Sequence, residues 1–254
     1  MTSHAAARLE LQLLAAQAGE IATKLRNSMD PRLKSDGSIV TRADCEIEAL
    51  LRIELPKLVP GTTVWGEEQG FQEPGPNGLW LVDPVDGTSN YRFGSPLWGV
   101  SIGLVQGGQV VLGAIALPDL DEIYSAHFGG GATCNDVPLP AIRPGPIKNE
   151  ELVSYSDRTL IQYAGHKLPG KMRYAGAFVI ESTFMLKGHF RGVISHKANL
   201  YDVAASICMA TELGAEICYF DGSALDIPAL IRAQRIEKPF LIFPQDSGFR
   251  LPNI

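Results

Sequence analysis

Two aspartates three residues apart, Asp83 and Asp86, sit in the stretch Leu79-Trp80-Leu81-Val82-Asp83-Pro84-Val85-Asp86-Gly87-Thr88-Ser89-Asn90. On a turn, two such carboxylates point into one small space, where they repel and one must take up a proton. A divalent cation removes that conflict, and the hard oxygens of Asp favour magnesium, calcium or manganese over zinc. Gly87 lets the backbone approach a ligand, and the free amides that follow it suit an anion. Acids for a metal beside amides for an anion point to phosphate chemistry. Taken alone, the stretch is equally well explained as ordinary Asp-Pro and Asp-Gly turn chemistry.

These residues need elements to position them. Four apolar residues without alternation, Leu79 to Val82, predict a short strand buried on both faces. Pro84 is expected to end its pairing as a central strand. Upstream, residues 5–27 predict a long amphipathic helix with Leu9, Leu13, Ala16, Ile21 and Leu25 inward. An Asp-Gly-Ser turn follows within residues 33–40. Thr41-Arg42-Ala43-Asp44 then opens a second helix to about Pro56, with Ile47, Leu50, Leu51 and Leu55 inward. Thr41 and Asp44 have the spacing of a capping pair, which by itself explains Asp44 as well as any chemistry does. A strand over 62–65 runs into Gly66-Glu67-Glu68, whose glutamates read from composition as solvated.

The uncharged run from Phe93 to Pro118 is long enough to span a bilayer, but Gln106-Gly107-Gly108-Gln109 divides it into a hairpin. A strand over 122–126 follows, then a Gly129-Gly130-Gly131 turn that lacks the Lys-Ser/Thr of a phosphate loop. The proline-rich segment 138–146 marks the boundary between two halves, 1–140 and 141–254. The second half predicts strands at 152–155, 192–195, 215–220 and 239–243, with helices at 177–187 and 201–213. Asp202 falls in the first turn of the last helix, where it also complements the helix dipole.

A 254-residue chain that is 45% hydrophobic and 20% charged buries a substantial core and is not disordered. Its net charge of −6 argues against a nucleic-acid binder. Cys45, Cys134, Cys208 and Cys218 form no C-x-x-C or zinc spacing, so buried free thiols in a reducing cytoplasm are expected. Charges break up the alanine-rich N-terminus, which does not read as a signal peptide.

Gly66-Glu67-Glu68, then Asp83-Pro84-Val85-Asp86-Gly87-Thr88, then Tyr201-Asp202-Val203-Ala204-Ala205, with Thr41 to Asp44 upstream, together resemble the signature motifs of the inositol monophosphatase family. That family lies within the magnesium-dependent, lithium-sensitive sugar phosphatases. The resemblance covers nearly the whole chain and implies an α/β fold, a layered α/β/α/β/α sandwich. It implies two or three magnesium ions, with Glu67, Asp83 and the Val85 carbonyl holding the catalytic one. Asp83, Asp86 and Asp202 would hold a second. Thr88 and Asp44 would form the relay that activates water, and the amides of Gly87 and Thr88 would grip phosphate. Asp86, Ala177, Ser195 and Asp202 would line the substrate.

The implied activity is hydrolysis of a small phosphorylated polyol or sugar by metal-activated water, with inositol monophosphate as the family default and a homodimer as the assembly. Histidinol phosphate, a nucleotide 3′-phosphate and a non-catalytic metal-binding scaffold are the alternatives. The chain departs from the pattern at four places. Tyr201 stands for the usual Trp and Ser206 for a common glycine. Ser195 stands where inositol phosphatases carry a glutamate. The segment Arg173 to Phe178 lacks a small hydroxyl residue, and Phe178 is expected to crowd or stack on the leaving group.

Overall fold

The structure, a computed structural model, describes residues 4–28, 30–34, 37–196 and 198–249. Helix α1 (His4–Leu25) is followed by a two-stranded antiparallel pair, β1 (Arg32–Leu33) and β2 (Ile39–Val40), and then by α2 (Arg42–Leu58). Ser35 and Asp36, part of the expected Asp-Gly-Ser turn, lie outside the described residues. A seven-stranded sheet comes next: β3 (Thr63–Gly66), β4 (Leu79–Asp86), β5 (Gly99–Gln106), β6 (Gln109–Leu117), β7 (Glu122–His127), β8 (Ala132–Cys134) and β9 (Val137–Pro138), paired in that order. The short helix α3 (Thr88–Arg92) follows β4.

The remaining chain builds a five-stranded sheet from β10 (Leu152–Tyr155), β11 (Lys171–Arg173), β12 (Val193–Ser195), β13 (Ala215–Tyr219) and β14 (Phe240–Pro244), in the order β11-β10-β12-β14-β13. Helices α4 (Asp157–Gln162), α5 (Phe178–Leu186), α6 (Leu200–Glu212) and α7 (Ile227–Ala233) complete it.

Alternation along β4 shows the layering. Trp80 and Val82 join α1 and α2 in one apolar cluster, while Leu79 and Leu81 join α5 and α6 in another. The second cluster also contains Val193, Phe240 and Ile242 of the five-stranded sheet, so α5 and α6 are packed between the two sheets. Val153, Ile194, Leu241 and Phe243 form a third cluster with Tyr163 and Leu168, which follow α4. The layers alternate as α/β/α/β/α.

Three expectations need correction. Helix α1 faces inward through Ala7, Leu11, Ala15, Ala18 and Ala22, whereas Leu9 and Leu13 are exposed. Small residues win that face because the helix lies close on β6; a Cβ on Gly19 would stand 2.7 Å from Pro118. In α2, Leu50 is only half-buried, and Glu48 takes the inward place. Among the thiols, Cys208 and Cys218 are buried, but Cys45 is exposed and Cys134 half-buried.

Candidate active site

Asp83 follows Leu79 and Leu81 on the same side of β4, so its carboxylate faces the layer that contains α6. Pro84 does not end the strand, which runs on to Asp86. The register against β5 nevertheless shifts between Asp83 and Asp86, skipping Pro84 and Val85. A proline that cannot donate to the ladder is accommodated by a bulge. The Asp83 Oδ1 accepts from the Val85 amide at 3.1 Å, and the Thr88 hydroxyl donates to the Val85 carbonyl at 3.0 Å. Gly87 turns the chain at φ +85°, and a Cβ there would meet that of Ala177 at 2.7 Å. Both conformation and space require glycine at this position.

Other elements bring further carboxylates to Asp83. Glu67 directly follows β3, and its amide continues the parallel ladder to Val82 O at 3.2 Å. Asp44 lies in the first turn of α2, where its Oδ2 accepts from the Thr41 amide at 2.8 Å. Asp202 occupies the same place in α6, accepting from the Asn199 amide at 2.9 Å. Helix α6 can approach β5 and β6 closely because Gly103 and Gly113 face Ala204 and Ala205; a Cβ on Gly103 would stand 2.8 Å from that of Ala204.

Electrostatics shows how tightly these acids gather. Burial, and then the charges of Glu67, Asp86, Asp202 and Asp44, push Asp83 well above the usual carboxylate range. Burial raises Asp86 to about 7 against the hydrogen bond from Val179. It raises Asp44 to about 6 against the bonds from Thr41. Asp202 is raised by burial, then by Asp86 and Glu67. Asp44 Oδ1 is buried without a hydrogen-bond partner. An all-oxygen set with an unpaired buried acceptor suits a hard divalent cation. Even so, no group of three or more His, Cys, Asp or Glu side chains among the described residues is spaced to close on one ion.

A lysine is paired within this group of acids. Lys34, just after β1, places Nζ 2.7 Å from Glu67 Oε1 and 2.7 Å from Glu68 Oε1. Burial lowers the ammonium's pKa, but the two carboxylates outweigh it and keep the group protonated. The Glu67-Glu68 turn is fastened from behind by Glu48, which accepts from the amides of Glu68 at 2.7 Å and Gln69 at 2.9 Å. Arg52 pairs with Glu48 at 2.9 Å and donates to Val64 O at 2.7 Å. The two glutamates are thus engaged rather than solvated.

The expected Thr88–Asp44 contact is not formed. The Thr88 hydroxyl is directed at Val85 O, and Asp44 Oδ2 is committed to Thr41. Among the residues expected to line the substrate, Ala177 precedes α5 against Gly87, and Asp86 Oδ2 accepts from the Val179 amide at 2.6 Å. Phe178 packs on Phe240 at a ring distance of 6.1 Å, and Ser195 is the buried β12 residue in register with Phe240. Tyr201 meets Trp65 edge-on at 5.8 Å, and Ser206 bonds Ser182 of α5 at 2.8 Å. Sequence reasoning missed Lys34, Glu48, Arg52, Asn90 and Glu181. For Glu48 and Arg52 a signal existed: with Asp44 they repeat every four residues on one face of α2.

The sequence profile of the inositol monophosphatase family matches residues 6–239. The chain belongs to this family. An inositol-1-monophosphatase of Mesorhizobium japonicum is 32% identical over 202 residues, covering 75% of each chain. A histidinol-phosphatase of Chlorobaculum parvum is 37% identical over 134 residues, 52% of each. Among solved structures, the lithium-soaked inhibitory complex of Staphylococcal inositol monophosphatase-1 superposes with a TM-score of 0.83 at 21% identity. That match covers 97% of this chain and 93% of the other, and it carries the layered fold.

Proposed function

We propose that this chain is a magnesium-dependent phosphomonoesterase for small phosphorylated polyols or sugars, with inositol monophosphate the first substrate to test. The carrying observation is the gathering of Asp44, Asp83, Asp86 and Asp202, each with a raised pKa, beside the Gly87 turn. Glu67, Asp83 and the Val85 carbonyl would hold one magnesium ion, and Asp83, Asp86 and Asp202 a second. When bound, magnesium supplies charge neutralisation on the phosphoryl oxygens and a more acidic water.

The chain's own groups do the rest. The Gly87 and Thr88 amides hold the phosphoryl oxygens, and Asp44 accepts a proton through Thr88. For that relay Thr88 must exchange Val85 O for the free Oδ1 of Asp44. Lys34 pairs with Glu67 through Oε1 and would compete with a cation for that carboxylate. Ala177 and Ser195 complete the substrate side. The similarity to a histidinol-phosphatase supports histidinol phosphate as a second substrate class.

The test is phosphate release from a panel containing inositol 1-phosphate, histidinol phosphate and a nucleotide 3′-phosphate, with and without magnesium, and with lithium on the best substrate. Magnesium-dependent release blocked by lithium is expected, together with loss of most activity in Asp83→Asn at unchanged fold. Absence of release from every ester despite magnesium binding would favour the scaffold reading.

A further inference from the structure

Glu181 in α5 is an acid only 4% exposed, and the proposed chemistry leaves it unused. Burying a carboxyl is costly unless its oxygens are hydrogen-bonded. Here the partners are two backbone amides of one short segment and the Ser154 side chain on β10. Glu181 Oε1 accepts from the Ala175 amide at 3.0 Å, and the Gly176 amide also bonds the carboxylate. The carbonyl of Ala175 is gripped from the other side by Asn90 Nδ2 at 2.8 Å, and the same nitrogen reaches Leu97 O at 2.7 Å.

Residues 175–179 therefore run between two carboxylates. Glu181 takes the amides at the start of the segment, and Asp86 takes the Val179 amide at its end. Gly176 makes the turn between them at φ +75°, and Ala177 rests on Gly87. The Ala177 helix start lacks a side-chain cap of its own, so its position is set by these tertiary bonds. Tyr174 lies near enough to Asp86 to feel its charge, and the Phe178 amide also bonds the Asp86 carboxylate, so the segment borders the space beside Gly87 where a leaving group would lie. An apolar residue at 181 would fill the same volume without the desolvation cost, but it would leave the amides of Ala175 and Gly176 without this acceptor.

We propose that Glu181 is a positioning residue that sets the 175–178 wall of the leaving-group pocket and thereby the discrimination between esters. This rests on the phosphomonoesterase reading above. Glu181 acts through Ala175 and Gly176 and touches neither phosphate nor metal. Its loss should alter recognition of a bulky hydroxylated leaving group more than hydrolysis itself.

The experiment compares the full-length protein with Glu181→Gln and Glu181→Leu, using inositol 1-phosphate (or the best hydroxylated ester of the panel) and 4-nitrophenyl phosphate. Leu is expected to raise KM for the hydroxylated ester about tenfold with kcat within about twofold, while kcat/KM for 4-nitrophenyl phosphate changes less than about threefold. Gln, which keeps one acceptor oxygen, should recover part of the loss. Hydrogen exchange at Ala175 and Gly176 should quicken in both variants, a readout that does not depend on turnover. Equal losses on both esters, unchanged kinetics, or unchanged exchange would overturn the proposal. If Leu fails to fold, the Gln variant decides it by the same selectivity ratio and exchange rates. Failure of the underlying reading is seen separately, as absence of phosphate release from either ester by the unaltered protein, and the proposal falls with it.

Discussion

At the scale of single residues, the site is a collection of acids held together by whatever positive charge is available. Lys34 supplies one such charge, paired to Glu67 and Glu68, each of its carboxylate partners mostly buried. A tethered ammonium that occupies a ligand of the expected cation must compete with it. Lys34→Met should bind magnesium several-fold more tightly, measured by calorimetric titration of metal into metal-free protein. Unchanged or weaker binding would show that Lys34 does not compete for Glu67. Asp86 was legible as a candidate because the Asp83-to-Thr88 motif is specific, and Asp44 only through the family resemblance, since its spacing alone reads as a helix cap. Lys34 was not, since its partners lie 33 and 34 residues further along the chain. No local spacing announces such a pair.

Among elements, α6 is decisive because it carries Asp202 to the end of β4. Its approach is set by small residues on both sides, Ala204 and Ala205 on the helix and Gly103 and Gly113 on the strands. Ala204→Leu would need space that β5 occupies, with overpacking costs of about 1–3 kcal/mol. A lower melting temperature together with weakened magnesium binding is expected, because Asp202 moves with the helix. Ser206 fits the same logic, since its hydroxyl bonds Ser182 and couples α6 to α5 where a glycine would leave nothing. The triple-glycine turn also belongs to α6: Glu212 at its end accepts from the amides of Gly129 at 2.9 Å and Gly131 at 2.8 Å. The helix phase in α1 misled the sequence reading because leucines outrank alanines in hydrophobicity, whereas close packing selects alanines.

For the whole molecule, the cluster around α5 and α6 draws residues from both sheets, including Leu81 from one and Phe240 from the other. We propose that residues 1–140 and 141–254 unfold as one cooperative unit; two separate calorimetric transitions would contradict this. No helix among the described residues is long and apolar enough to cross a membrane. Stability should also depend on pH in a definite direction. Asp86, Asp44 and Glu181 have pKa values raised by burial to about 7, 6 and 7. The folded protein therefore holds protons that the unfolded chain releases, so this contribution is present at low pH and lost as pH rises through about 6 to 7. The melting temperature of metal-free protein should fall by at least several degrees, about 5 °C, between about pH 5 and pH 8. Magnesium at the higher pH should restore it by binding the ionised acids. A flat or rising profile without metal would count against the buried carboxylate cluster.

The sequence by itself determined the order of strands and helices over most of the chain, because apolar runs, Gly-Gly and Asp-Gly turns and capping pairs are local signals. It also determined the metal-ligand candidates, since Asp83-Pro84-Val85-Asp86-Gly87-Thr88 carries its chemistry within six residues. Only the tertiary structure decided which groups those carboxylates meet. Lys34 on Glu67, Glu48 and Arg52 behind the Glu67-Glu68 turn, and Asp86 on the Val179 amide are contacts between separate segments. The Thr88 hydroxyl takes a local acceptor instead, Val85 O three residues back, because Ser, Thr and Asp side chains readily bond nearby backbone, and only the folded structure shows that this bond wins over Asp44.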